Sequence, residues 1–459
     1  LRDTVADETV RLDKPKAGAT KLGTKAPAFM AASADGSVVF FTDSQQLVKG
    51  ASPGGRDLYR CVIGTIGEAL GCKGLEDLSA PLEGSGENSE AEELAVGVAE
   101  DGRSLYFIAR GVLDPEANEE GVKAAAGAPN LYVWEEGFGV RFIAALSEKD
   151  AADWGSGPPN PVGQAARGAG NSSPDGRYLS FMSQEALAGA ETADPASGKP
   201  VEQAFLYDAA EDELLCISCN PSGATDPGHR IVENTSEGGV ISPDRQQLWS
   251  GRLVGATLPE TTEGDVGIGY ALYWPRGVLD NGRAYFNSTS PLVNGDSNGT
   301  WDVYQYEPFG VGDCEPSAAS GMVATTETGC VSLMSAGTDS LPSVFLDAGA
   351  SGDDVFLASF ARLSALDTDT DVDVYDARVG GVEAVVEQST ECSGEACQQR
   401  GLPPADSAPN SSTFNGAGNV KQKPRKHCNK GQKKVKRHGK VKCVAKKKSG
   451  SHGKQGGAR

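Results

Sequence analysis

A tight turn of the form Ser-x-Asp-Gly, followed by an apolar or aromatic run, recurs along the chain and restricts its fold more than any other feature. It reads ASADGSVVFF from Ala32, VAEDGRSLYF from Val98 and SSPDGRYLSF from Ser172. Weaker copies are ISPDRQQLW from Ile241, VLDNGRAYF from Val278 and AGASGDDVF from Ala348. Asp-Gly supplies the positive-φ residue that a tight hairpin requires, and the aromatic run after it packs one face inward. Each copy is followed by a second strand signal: DLYRC at Asp57, NLYVW at Asn130, FLYDA at Phe205, ALYWP at Ala271, DVYQY at Asp302 and DVYDA at Asp373. A third usually follows, as in VRFIAALS from Val140, LLCISC from Leu214, CVSLMSAG from Cys330 and VEAVVE from Val382. One such sheet cannot bury both faces alone, so neighbours must stack.

The expected fold is therefore all-β, a β-propeller of about six four-stranded blades with long inter-strand loops. The turns align on Asp35, Asp101, Asp175, Asp244, Asn281 and Asp353. Of these intervals, Asp244 to Asn281 alone is near the usual blade of about 40–45 residues, so the other units carry insertions that emerge on one face. ETVRLD (Glu8 to Asp13) resembles the outer strand of a further blade. Residues 1–26 accordingly read as a partial blade or closing strand, and 27–388 as the propeller. Residues 389–420 read as a linker with a Cys pair, and 421–459 as a basic disordered tail. The first residue is leucine, so the chain reads as a fragment or a processed form.

Charge is divided unevenly. From Lys421 to Arg459 there are 16 of the 42 Lys and Arg and none of the 63 Asp and Glu, which leaves the first 420 residues at about −37. Such a body repels nucleic acid and anionic surfaces, whereas the tail seeks them. Lys433, Lys434, Lys436, Arg437, Lys446, Lys447 and Lys448 form its densest part, suited to cell-wall phosphate polymers or a membrane surface. No aromatic residue interleaves the lysines for base stacking, which argues against nucleic acid. The plainer reading is a solubilising tail. No apolar run reaches the ~20 residues of a membrane span.

The ten cysteines lie in close pairs: Cys61 and Cys72, Cys216 and Cys219, Cys314 and Cys330, Cys392 and Cys397, Cys428 and Cys443. The even count and short spacings fit local disulfides and an oxidising, extracytoplasmic compartment. Spacing does not prove connectivity, and free thiols in a reducing cell are the alternative.

The Ser-x-Asp-Gly units with Leu-Tyr or Val-Tyr strands resemble the WD40-like propeller repeats of TolB-type proteins. The order FFTDSQQLV, SCNPSGA, NGDSNGTWDVYQYE and DVYDARVGG, then a Cys pair and a Lys-rich end, resembles secreted or surface-associated propeller proteins of actinobacteria. The likeness spans roughly residues 27–448. It departs from TolB itself in having no N-terminal α/β domain and in carrying the basic tail.

Chemistry-bearing residues are few. The histidines are His229, His427, His438 and His452, and His229, in TDPGHR, reads as a solvated turn residue. A Ser-His-Asp device would rest on it alone. Gly-x-Ser-x-Gly occurs at Gly50 to Gly54 and at Gly295 to Gly299, but neither lies between a strand and a helix, and Pro53 removes the N–H that an oxyanion would need. CISC, Cys216 to Cys219, sits among turn residues rather than at a helix N-terminus, which favours a structural disulfide over a redox pair. Two acidic loops precede the same strand: Asp296, Asn298 and Asp302, then Asp367, Asp369, Asp371 and Asp373. Calcium takes six to eight oxygens, so these loops are candidates for a structural calcium ion. Asp and Asn are also ordinary turn residues.

The leading expectation is a non-enzymatic binding or scaffold module for a protein or carbohydrate ligand, held at the envelope by its tail. The alternative is a glycan-acting hydrolase or lyase with paired carboxylates at the propeller mouth.

Overall fold

The computed structural model describes residues 26–380 apart from 67–68, 83–87, 154–169, 226, 231–251 and 259–274, together with 2–3, 7–16, 19, 430, 432–437 and 440–445. The chain divides into two compact units, Leu1–Val386 and Glu387–Arg459. The first is all-β, its one helical piece among the described residues being a 3-10 turn at Glu148–Asp153.

A short pair, β1 (Arg2–Asp3) and β2 (Glu8–Thr9), precedes five sheets among the described residues, antiparallel but for one short pairing in the third. The first sheet holds β3 (Ala28–Ala32), β4 (Val38–Asp43), β5 (Asp57–Ile66) and β6 (Ala69–Asp77) in chain order. The second holds β7 (Ala91–Val98), β8 (Ser104–Ala109), β9 (Asn130–Glu135) and β10 (Gly139–Ala145). In the third, β11 (Gly170–Ser172), β12 (Tyr178–Ser183), β13 (Val201–Asp208) and β14 (Glu213–Cys216) repeat the plan. Two short strands, β15 (His229–Arg230) and β16 (Leu253–Val254), join it through a parallel pairing of β16 with β13. The fourth comprises β17 (Ala256–Thr257), β18 (Ala284–Ser288), β19 (Asp302–Pro308), β20 (Val323–Thr325) and β21 (Gly329–Leu333), with β21 next to β19 and β20 outermost. The fifth shows β22 (Ser343–Ala348), β23 (Asp354–Ser359) and β24 (Asp373–Arg378). Its expected outer strand, VEAVVE, lies outside the described residues.

Because successive strand residues point to opposite faces, each middle strand feeds two cores. Val38 and Phe40 pack with Leu105, Phe107 and Tyr132, whereas Tyr106 and Ile108 of the same second sheet pack with Leu179, Phe181 and Phe205. Tyr178, Met182 and Leu206 then meet Phe286, Tyr304 and Val331, and Tyr285 and Val303 meet Phe345 and Leu357. Each fully buried aromatic of this kind contributes about 1.5–3 kcal/mol. Val39, Phe41 and Tyr59 on the far face of the first sheet are covered in part by Leu12 of the N-terminal segment. Sheets thus stack face to face in chain order, a propeller-like arrangement.

The expected unit from Ile241, with ALYWP at Ala271, falls outside the described residues. The sheet bearing Asp175 packs directly on the sheet bearing Asn281.

The turns themselves link the sheets. Gly36, Gly102, Gly176, Gly282 and Gly352 each donate to the carbonyl three residues back, at 2.8–3.0 Å. Ser351, and not Asp353, therefore holds the place of the turn aspartate in the fifth sheet. Between sheets, Ala34 N–H donates to Glu100 O at 2.7 Å and Glu100 N–H to Pro174 O at 2.8 Å. Pro174 has no N–H to pass on, and the next link runs from Asp175 N–H to the Asp280 carboxylate at 2.9 Å. Asn281 Nδ2 then reaches Ser351 O at 3.3 Å.

The second unit, expected to lack regular structure, contains a hairpin, β25 (Gln432–Arg437) with β26 (Lys440–Ala445), in register Lys434↔Cys443 and Arg437↔Lys440. Val435, Val441 and Val444 among the lysines supply the β-branched residues that favour strands.

Candidate functional site

The second-to-third-strand loops of the sheets are anchored by one device. In four sheets an aromatic of the second strand stacks on one of the third: Phe41 on Tyr59 at 5.8 Å, and Phe107 on Tyr132, Phe181 on Phe205 and Phe286 on Tyr304 at 5.7 Å. In the third sheet the equivalent of the repeated tyrosine is therefore Phe205, not Tyr207 of the FLYDA signal. Where the residue is tyrosine, its hydroxyl reaches into the loop above. Tyr59 donates to Gln45 O (3.0 Å) and Tyr132 to Gly111 O (2.8 Å), while each accepts a leucine N–H, from Leu47 and Leu113, at 3.2 Å. Tyr304 accepts from Leu292 N at 3.4 Å and donates to the Asp296 carboxylate; Tyr375 donates to Asp367.

Two residues before each tyrosine stands a second anchor. Asp57 accepts from Ser52 N (3.0 Å) and Ser89 Oγ (2.7 Å), and Asn130 accepts from Ala125 N at 3.0 Å. Asp302 accepts from Ser335 Oγ, from Gly337 N at 3.4 Å and from Asn298 Nδ2 at 2.6 Å. The repeated acidic loop therefore places a carboxylate over the strand tyrosine and a second at the strand's start.

The two acidic loops differ in what satisfies them. Asp296 and Asp302 are buried, and their oxygens are met by Tyr304, Asn298, Ser335 and Gly337. Burial pushes both carboxyls above the usual range. Asp367, Asp369 and Asp373 instead bring carboxylate oxygens within 4.8 Å of one another on an accessible loop. Asp373 is raised by desolvation and then by the charges of Asp367, Asp369 and Asp371. Three converging carboxylates, with loop carbonyls and water, match the donor set that calcium takes. Asp371 stands outside the converging group; its N–H donates to Asp369 at 3.0 Å.

Other sequence candidates resolve as structure. Ser52 of the first Gly-x-Ser-x-Gly is buried and accepts from Ser89 N at 3.0 Å, stapling its loop to the residues before β7. In the second, Ser297 N–H donates to Gly337 O at 2.8 Å. His229 is not a solvated turn residue: it lies on β15, half-buried, its ring 5.6 Å from Trp301. Cys61–Cys72, Cys216–Cys219 and Cys314–Cys330 are disulfides. Cys443 is also disulfide-bonded; Cys392, Cys397 and Cys428 lie outside the described residues, as do Lys446, Lys447 and Lys448. Three disulfides suit an oxidising setting. No helix among the described residues is long and apolar enough to cross a membrane.

One feature had no sequence signal. Asp77 sits beside Tyr59 across β5 and β6, and its Oδ2 is buried without a hydrogen-bond partner. Burial and the neighbouring Asp57 charge push its carboxyl up to about 8.

No family model and no curated relative matches the chain. Among solved structures, it is similar to prolyl oligopeptidase B from Galerina marginata at 11% identity and a TM-score of 0.30, over 76% of this chain and 36% of that one. An oligogalacturonate lyase from Vibrio parahaemolyticus follows at 12% and 0.22, over 76% and 74%. A Penicillium chrysogenum α-L-arabinanase gives 11% and 0.22, over 80% and 96%. Likeness at this level carries no argument, and the propeller-like reading rests on the stacking of the sheets.

Proposed function

We propose that the chain is an extracytoplasmic, non-enzymatic binding or scaffold module, a propeller of about six blades of the WD40-like, TolB-type kind. It presents its second-to-third-strand loops to a protein or carbohydrate ligand. The observation that supports this is the tyrosine anchor, which fixes those loops to the sheet beneath in four of five sheets. Loops held in one conformation lose little freedom on binding, which favours recognition. A calcium ion at Asp367, Asp369 and Asp373 serves to pin the fifth loop. The basic C-terminal segment attaches the module to anionic envelope polymers by charge.

The glycan-acting hydrolase or lyase is the second reading. It needs two carboxylates about 5–10 Å apart across a cleft, whereas the Asp367 group crowds its carboxylates on one loop.

Sedimentation with purified envelopes across a salt series tests the proposal, comparing the whole chain with one ending near Asn410. Binding by the whole chain alone, released by salt, is expected. Equal binding by both moves recognition to the sheets' loops, and turnover on a glycan panel overturns the non-enzymatic reading.

A further inference from the structure

The long loop of the second sheet folds against the outer strand of the third and encloses a recess of about 240 Å³. Asn118 shapes it: its amide donates to Ile143 O at 2.8 Å, and its side-chain oxygen accepts Val122 N at 2.9 Å. The floor is apolar and aromatic, from Ile143, Tyr207 and Leu214, and the rim carries Glu119, Glu120, Asp212 and Glu213. Tyr207 donates to Asp212 at 2.5 Å, and Arg141 Nε lies 3.7 Å from the same carboxylate. Asp212 thus has its partners. No ion pair with a described residue reaches Glu119, Glu120 or Glu213. The Glu213 carboxyl is raised, by desolvation first and then by Asp208, Glu119 and Glu211.

We propose that this recess receives an arginine or lysine side chain of a partner protein, its stem against Ile143, Tyr207 and Leu214 and its cation among Glu119, Glu120 and Glu213. The inference rests on the binding-module reading and names the chemistry of the partner. Long cationic side chains lay methylenes along apolar surface while the charge stays at the wet edge, which matches a recess with an apolar floor and an acidic rim. The volume lies below the ~300–1,000 Å³ of pockets for drug-sized ligands, so it suits one side chain rather than an oligosaccharide. A divalent ion fits less well: these carboxylates do not converge as those of Asp367, Asp369 and Asp373 do.

Saturation-transfer NMR on the full chain tests this with acetyl-Gly-Arg-Gly-amide, with the norleucine analogue as a neutral stem of similar length. The arginine peptide is expected to bind, the norleucine peptide not. The Glu119→Gln/Glu213→Gln double variant should weaken binding about tenfold or more, the loss expected for a charge-assisted contact. Glu116→Gln, on the same loop but away from the recess, should leave it unchanged, and circular dichroism confirms that both variants fold. Equal binding of the norleucine peptide, no loss in the double variant, or displacement by calcium chloride overturns the proposal. Absence of arginine-peptide binding to the folded wild type sinks this site alone, since envelope sedimentation reads the module's role separately.

Discussion

Tyr304 donates its hydroxyl to Asp296 on the loop above it, and Tyr375 does the same to Asp367 in the next sheet. The first pair is buried and the second partly open. Tyr304→Phe should therefore cost about 1–3 kcal/mol, because the buried Asp296 oxygen loses its donor and Leu292 N–H its acceptor. Tyr375→Phe should cost less, since water replaces the lost partner. Urea denaturation of the two variants checks the order; equal losses would remove the tyrosine–aspartate pair as the reason for the repeat.

The turn glycines separate conformational strain from crowding. Gly36 and Gly176 both have positive φ, +71° and +75°, but a Cβ on Gly36 meets nothing, whereas one on Gly176 stands 2.6 Å from Ala99 Cβ. Gly36→Ala should cost about 1–2 kcal/mol, from the left-handed backbone alone. Gly176→Ala should cost a further ~1–3 kcal/mol from overpacking between sheets. Thermal melts that rank them equally would contradict the close approach.

Calcium at the Asp367 loop is testable through stability. Millimolar calcium chloride should raise the melting temperature and a chelator should reverse it, as for low-affinity extracellular sites with dissociation constants of about 10⁻⁴–10⁻³ M. Asp367→Asn or Asp369→Asn should abolish the response, and Asp371→Asn should preserve it. A response that survives loss of Asp369 places the ion elsewhere.

Asp77 predicts a pH dependence with a definite sign. Its folded-state carboxyl, pushed up to about 8, lies above the ~3.9 of an unfolded aspartate. Its contribution to stability is thus complete below pH ~4 and is lost as pH rises through about 8, on the order of a few kcal/mol in all. Asp77→Asn keeps the acceptor for Ser79 N (3.0 Å) and never ionises. Melts between pH 5 and pH 9 should show the wild type falling relative to this variant; parallel curves would refute the assignment.

What was legible in the sequence had a local cause. The Asp-Gly turns were readable because a positive φ demands glycine, and the Leu-Tyr strands because strands buried on both faces read as short apolar and aromatic runs. Two alignments slipped for physical reasons. In AGASGDDVF the glycine, not the acid, defines the turn, so Ser351 takes the aspartate's place. In the third sheet Phe205 replaces the tyrosine, because ring stacking on Phe181 needs no hydroxyl. Asp371 looked equivalent to its neighbours in an alternating run, yet loop curvature leaves it outside the converging group. The Asp57–Asp77 pair and the recess at Glu119 and Glu213 join distant segments, and no single-strand pattern reports them. The tail hairpin was hidden by its lysines.

The links between turns also set how stress travels through the array. From Ala34 to Glu100 to Pro174 they are main-chain bonds, indifferent to pH. At Pro174 the series passes to the Asp280 carboxylate, whose pKa burial and the nearby Asp175 charge raise. Acid would therefore loosen this joint before the others. In amide exchange at low pH, the Asp175 amide would then lose protection before those of Ala34 and Glu100.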